Sequence, residues 1–262
     1  MWNSGNSYES YIGRWSKLVA RQFLAWLDVP SGVQWLDVGC GTGSLSQTIL
    51  DTASPRSVLG VDASEGYIDF AIKHVKDPRV SFRLGDAQGL PVESASYDAV
   101  VSGLVLNFVP QPSQVLSEMM RAVHIGGTVA VYVWDYADQM QLIRYFWNAA
   151  VALDKTVLAL DEGQRFPLCQ PEHLRQLFQN PTHRLENVQV RLIDVDTTFS
   201  DFDDYWSPFL GSQGPAPSYA MSLSEEKRVA LREYIRLILP IAADGSIHLI
   251  ARAWAVRGVR KD

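Results

Sequence analysis

The chain has 262 residues, 47% of them hydrophobic and 20% charged, and a formal net charge of −6. That length can bury one large domain, or a domain with a small cap, and the composition excludes a disordered chain. The acidic total and the lack of a Lys/Arg run disfavour a nucleic-acid partner, and no apolar run approaches the ~18 residues of a membrane helix.

Residues 16–27 place Leu18, Val19, Phe23, Trp26 and Leu27 along one helical face, with Ser16 as its cap. "VQWLDVG" then reads as a buried strand, followed by a glycine turn and a helix over 44–53. A strand at 57–62, a helix at 65–76 and a strand at 80–86 follow. Residues 97–109 contain a fourth strand and 112–123 form a helix, closed by Gly126-Gly127. A fifth strand spans 128–134. Helices, not turns, join these strands, so the chain reads as an α/β protein with a doubly wound, mostly parallel sheet. Beyond Trp134 the rhythm changes. Residues 137–180 read as helix and loop, 187–199 and 247–256 as strands, and 224–239 as a helix stopped by Pro240. The stretch over 200–240 is either a surface excursion or a lid. Cys40 and Cys169 make no disulfide framework, and "MWNSGNSYES" is no secretory signal, which together predict a soluble, cytoplasmic protein.

In an open α/β sheet, ligands bind at the carboxyl ends of the strands. Gly39, Gly41 and Gly43 follow the first strand, and Asp62 ends the second, where its carboxylate can accept from both hydroxyls of a ribose. A nicotinamide dinucleotide and S-adenosylmethionine both fit so far. Three details separate them. The spacing is GxGxG, not the dinucleotide GxGxxG. Asp37 would repel a pyrophosphate but suit an ammonium or sulfonium group. Asp86, in "GDAQGLP", could accept from an adenine amino group while the Ala87 backbone addresses the ring.

"WLDVGCGTG", "GVDAS", "GDAQGLP" and "YDAVVSGLVLNFVP" resemble the successive motifs of class I S-adenosylmethionine-dependent methyltransferases of the small-molecule, methyltransferase type 11-like kind. The likeness covers residues 33–134 strongly and extends loosely to "YESYIGRWS" and "YWSPFLGSQGPAPSY". It implies a Rossmann-like seven-stranded sheet with an antiparallel last strand and a small helical lid. It also implies one domain over 1–262, with an N-terminal helical cover (1–30), a cofactor core (31–136) and substrate insertions (137–186 and 200–240). Gly39, Cys40 and Gly41 would line the methionine part of the cofactor. Asp62 and Ala63 would meet the ribose, Tyr67 (a position often held by methionine) the adenosine, and Asp86 and Ala87 the adenine. Ser102, Gly103 and Leu104 would flank the methionine tail. Tyr11, Arg14 and Trp15 resemble the covering segment, with Arg14 set to pair the methionine carboxylate.

Methyl transfer is an in-line displacement that positioning can drive, and no convincing base stands out. His124 reads as a helix-end cation, His74 and His183 as surface residues, and His173 as the least implausible candidate. No HExxH or paired CxxC suggests a metal. Asn107, Trp134, Tyr136, Tyr205, Trp206 and Phe209 are the expected pocket wall, with the aromatic rings able to steady a sulfonium. The expected function is methyl transfer from S-adenosylmethionine to an O, N or C nucleophile of a small molecule, leaving S-adenosylhomocysteine. A non-catalytic cofactor-binding partner protein and a nicotinamide-dependent oxidoreductase are the alternatives. Monomer and homodimer are equally compatible with the sequence.

Overall fold

The computed structural model describes residues 13–211 and 214–262. Helix α1 (Arg14–Leu27) leads into strand β1 (Gln34–Val38), and the chain then alternates through α2 (Ser44–Thr52), β2 (Ser57–Asp62), α3 (Glu65–His74), β3 (Val80–Leu84) and β4 (Tyr97–Gly103). Next come α4 (Pro112–Ala122), β5 (Val123–Trp134), α5 (Gln141–Leu153), the single turn α6 (Glu162–Arg165), α7 (Pro171–Gln179) and β6 (Leu185–Phe199). Three further helices, α8 (Phe202–Trp206), α9 (Pro215–Ser222) and α10 (Glu225–Ile238), precede β7 (Ile247–Arg260). The strands form one sheet in the order β3-β2-β1-β4-β5-β7-β6, with β1 to β5 parallel and the last strands antiparallel, as expected.

The parallel strands read as apolar runs because both their faces are covered. Leu36, Val38, Val61, Val100, Val129, Val131 and Val133 are buried with Leu116 and Met119 of α4 and Leu174 and Phe178 of α7. β1 lies between β2 and β4, so the chain reverses its direction of travel across the sheet there, and open α/β sheets bind ligands outside the carboxyl ends of the strands at such a switch point.

The chain divides into two compact units. The first comprises residues 16–133, 168–193 and 253–262; the second comprises 134–167 and 194–252, with Trp15. The expected insertion over 137–186 therefore divides, its last part belonging with the core. The predicted face of α1 also shifts: Val19, Phe23, Leu24 and Leu27 are buried, whereas Leu18 is exposed. Ser16 lies inside this helix, not at its cap. Gly126-Gly127 does not close α4. The helix has already ended at Ala122, and residues 124–127 bulge out of β5 where its register against Tyr97 and Ala99 shifts.

Candidate functional site

At the end of β1 the backbone turns through Gly39, Gly41 and Gly43, with φ of +74°, +52° and +85°. This left-handed region favours glycine, but the three residues serve different ends. A Cβ on Gly39 would lie 2.6 Å from a methyl of Val105, and one on Gly43 3.0 Å from Val75 and 3.3 Å from Ala71 of α3. Those two glycines let protein pack on protein. Around Gly41 nothing lies within 4 Å of the same position, so its bare backbone faces open space. The turn's N–H groups are already used: Gly39 and Cys40 donate to the Val61 carbonyl, Gly43 to the Cys40 carbonyl, and Gly41 to Asp62.

Asp62, at the end of β2, accepts from Gly41 N–H at 2.9 Å on one oxygen and from Ser64 N–H at 2.9 Å on the other. The carboxylate is thereby fixed in orientation, and each oxygen keeps a lone pair for an incoming donor. Ser64 also caps α3, accepting from Tyr67 N–H.

Asp37 is buried at 1% exposure; one oxygen accepts from Ser46 Oγ at 2.7 Å, and the other has no partner among the described residues. Burial, with the nearby Asp62 charge adding to it, pushes this carboxyl up to about 7. A carboxyl raised on folding binds its proton more tightly in the native state. Its contribution is complete below the unfolded value near 4 and is lost as pH rises through 7. Thermal unfolding of the ligand-free protein should therefore show stability falling between about pH 4 and 7. Asp37→Asn should flatten that fall by a few kcal/mol.

Beyond β3, Asp86 is exposed and accepts from Gln88 N–H at 2.8 Å, with Ala87 half-buried between them. At the end of β4, Ser102 is buried and donates to the Val38 carbonyl at 2.7 Å, locking β4 to β1. Its side chain is thus spent inside the sheet. Gly103 gives room to the Tyr132 hydroxyl, and Leu104 holds φ of +64°, a strained conformation for a branched side chain. Asn107 follows in a short turn. Among the described residues, six buried side-chain polar atoms lack a partner, and four of them lie on Asp37, Tyr67, Gln88 and Asn107. These residues come from the segments at the carboxyl ends of β1, β2, β3 and β4, one from each. Buried polar groups are seldom left unpaired, and their concentration along one edge is what a polar ligand would satisfy.

Residues 36–131 match the family model described as "Methyltransferase domain". That stretch of the chain is similar to methyltransferase domains. A demethylmenaquinone methyltransferase of Symbiobacterium thermophilum is 36% identical over 123 residues, 44% of this chain and 47% of that protein. A malonyl-[acyl-carrier protein] O-methyltransferase of Hahella chejuensis is 30% identical over 92 residues, 35% of this chain and 33% of that protein. The chain spans about half the length of the first curated relatives it matches. A Haemonchus contortus phosphoethanolamine N-methyltransferase, solved with S-adenosylhomocysteine, shares the fold at 17% identity and a TM-score of 0.58, covering 98% of this chain and 56% of that one.

Tyr11 falls outside the described residues, and Arg14 is the first residue of α1. Trp15 is core, its ring edge-on to Phe199 at 5.1 Å. The aromatic residues of the expected wall are buried in the second unit. Tyr205 and Phe209 are fully buried in the second unit, where Phe209 stacks on Phe146 at 4.6 Å and the Tyr205 hydroxyl donates to the Leu142 carbonyl. Trp206 leans on Phe209, Tyr136 on Phe166, and Trp134 is buried at the end of β5. Packing accounts for these rings, whereas much of the rest of 200–240, Met221, Val229 and Leu237 included, is exposed.

Among the histidines, His183 is buried against Ser113 Oγ, and burial lowers its affinity for a proton. His124 lies in β5 and donates to Asp98 at 2.7 Å, which raises it. His173 is exposed on α7. Sequence reasoning missed Gln88, for which its place after Asp86-Ala87 was the available signal. It also missed Glu162, a carboxyl buried at 3% exposure, receiving Trp147 Nε1–H and pushed up to about 7 by burial. "DEGQ" reads as a solvated turn.

Proposed function

We propose that this chain transfers a methyl group from S-adenosylmethionine to an O, N or C nucleophile of a small molecule, leaving S-adenosylhomocysteine. The observation that carries the reading is the row of unpartnered buried polar atoms beside the open backbone of Gly41 and the fixed carboxylate of Asp62. A ribose diol matches the lone pairs left on Asp62, and the spare oxygen of Asp37 suits the methionine ammonium. Asp86 and the Ala87 backbone would meet the adenine; Gly39, Cys40, Ser102 and Leu104 would support the methionine tail through backbone.

When bound, the cofactor supplies an electrophilic methyl group on sulfur. The chain's own contribution is to hold that group still, and orientation alone can lower such a barrier by roughly 7–11 kcal/mol. The Ser102 bond to Val38 and the strained Leu104 turn keep the ends of β1 and β4 in one geometry. No base is assigned, which favours acceptors that ionise easily. The demethylmenaquinone methyltransferases among the relatives make quinone-type rings the first acceptors to try.

A pyrophosphate finds little here. It needs free N–H groups at the turn, and those of Gly39, Cys40, Gly41 and Gly43 are donated within the protein. Calorimetry with S-adenosylmethionine, S-adenosylhomocysteine and NADH should give micromolar binding of the first two alone. Binding of NADH alone would reverse the reading, and cofactor binding without transfer to any acceptor would leave a non-catalytic partner protein.

A further inference from the structure

We propose that the Tyr67 hydroxyl is a hydrogen-bond donor to the cofactor's ribose, forming with Asp62 a two-sided clamp on the vicinal diol. The inference rests on the cofactor reading above.

Tyr67 stands in the first turn of α3, three residues after the Ser64 cap. The same serine donates its N–H to Asp62, so one short segment sets both the carboxylate and the ring. The ring is half-buried, yet its hydroxyl is fully buried with no partner among the described residues. Both burial and the Asp62 charge raise this phenol, so it stays protonated and available as a donor.

Asp62 can only accept, and its oxygens are already turned toward Gly41 and Ser64 by the two backbone N–H groups. A diol placed against it donates both protons and is left with unused lone pairs. A phenol beside the carboxylate supplies what the carboxylate cannot. The arriving hydroxyl donates a hydrogen bond to Asp62 and accepts one from Tyr67, and the orphaned group and the half-satisfied diol are completed together. An aliphatic side chain at this position would pack on the adenosine but could not do this.

The two roles available to a buried hydroxyl make opposite predictions. If it serves the ligand, Tyr67→Phe removes an unsatisfied group from the free protein, and the melting temperature stays level or rises. S-adenosylhomocysteine should then bind about 5- to 15-fold more weakly. The 2′-deoxy and 3′-deoxy forms of S-adenosylhomocysteine identify the oxygen. Against the analogue lacking it, wild type and Tyr67→Phe should bind equally, because the partner is already gone. Unchanged affinity of Tyr67→Phe for S-adenosylhomocysteine, or an equal penalty for all three ligands, would overturn the clamp. So would a lowered melting temperature with unchanged affinity, which marks a structural hydroxyl. Failure of the wild type to bind S-adenosylhomocysteine at all would instead remove the cofactor reading on which the clamp stands.

Discussion

Asp62→Ala is expected to weaken S-adenosylhomocysteine binding at least 100-fold, on the order of 3 kcal/mol or more, while far-ultraviolet circular dichroism stays native. Each hydrogen bond to a charged carboxylate contributes roughly 1.5–3 kcal/mol, and a ribose diol would make two of them. The same carboxylate accepts from Gly41 and Ser64, so its removal also loosens the glycine turn and the start of α3. That second loss should cost about 1–3 kcal/mol of stability. Asp62→Asn separates the two effects. An amide keeps one acceptor oxygen but carries no charge and turns a donor toward either a backbone N–H or the ligand. Its affinity should fall between wild type and alanine. Calorimetry for binding and thermal melts for stability read the two losses independently. Full affinity in Asp62→Ala would place the ribose somewhere else.

The marks of the candidate site can be read from the sequence because its chemistry is local. Glycines at fixed spacing, a carboxylate at a strand end and helices between strands each leave a mark within a few residues, and parallel pairing then brings the marks to one edge. What the sequence hid was long-range. Nothing near Gly39 in the chain says that Val105, on another strand's exit, occupies the space a side chain would need. Nothing around Ser102 says that its hydroxyl is consumed by Val38. The aromatic residues after β5 misled for the same reason. Tyr205, Trp206 and Phe209 sit among Pro, Gly and Ser, the composition of an exposed loop, and only their contacts with Phe146, Leu142 and one another reveal a packed interior. Glu162 is the converse case, a charge in a polar stretch that folding takes out of water beside Trp147.

The division of labour among the glycines gives the other large effect, and it separates packing from recognition within three residues of chain. Alanine at position 41 should cost little stability, about 1–2 kcal/mol for a left-handed residue with a side chain, since no protein atom stands in its way. Its methyl group would instead project into the space left for ligand, so cofactor affinity should fall by one to two orders of magnitude. Alanine at position 39 should behave in the opposite sense. It adds to the same backbone strain a collision at 2.6 Å with a β-branched side chain, for a total of roughly 2–5 kcal/mol of destabilisation. Pairing Gly39→Ala with Val105→Ala should recover the collision but not the strain, leaving a favourable coupling of about 1–3 kcal/mol in a double-mutant cycle. If Gly41→Ala were the more damaging to stability, or Gly39→Ala coupled to nothing, the turn would have to be held by other contacts than these. With the expected pattern, the open backbone at Gly41 belongs to the ligand, and the glycine before it exists to let Val105 close the turn from behind.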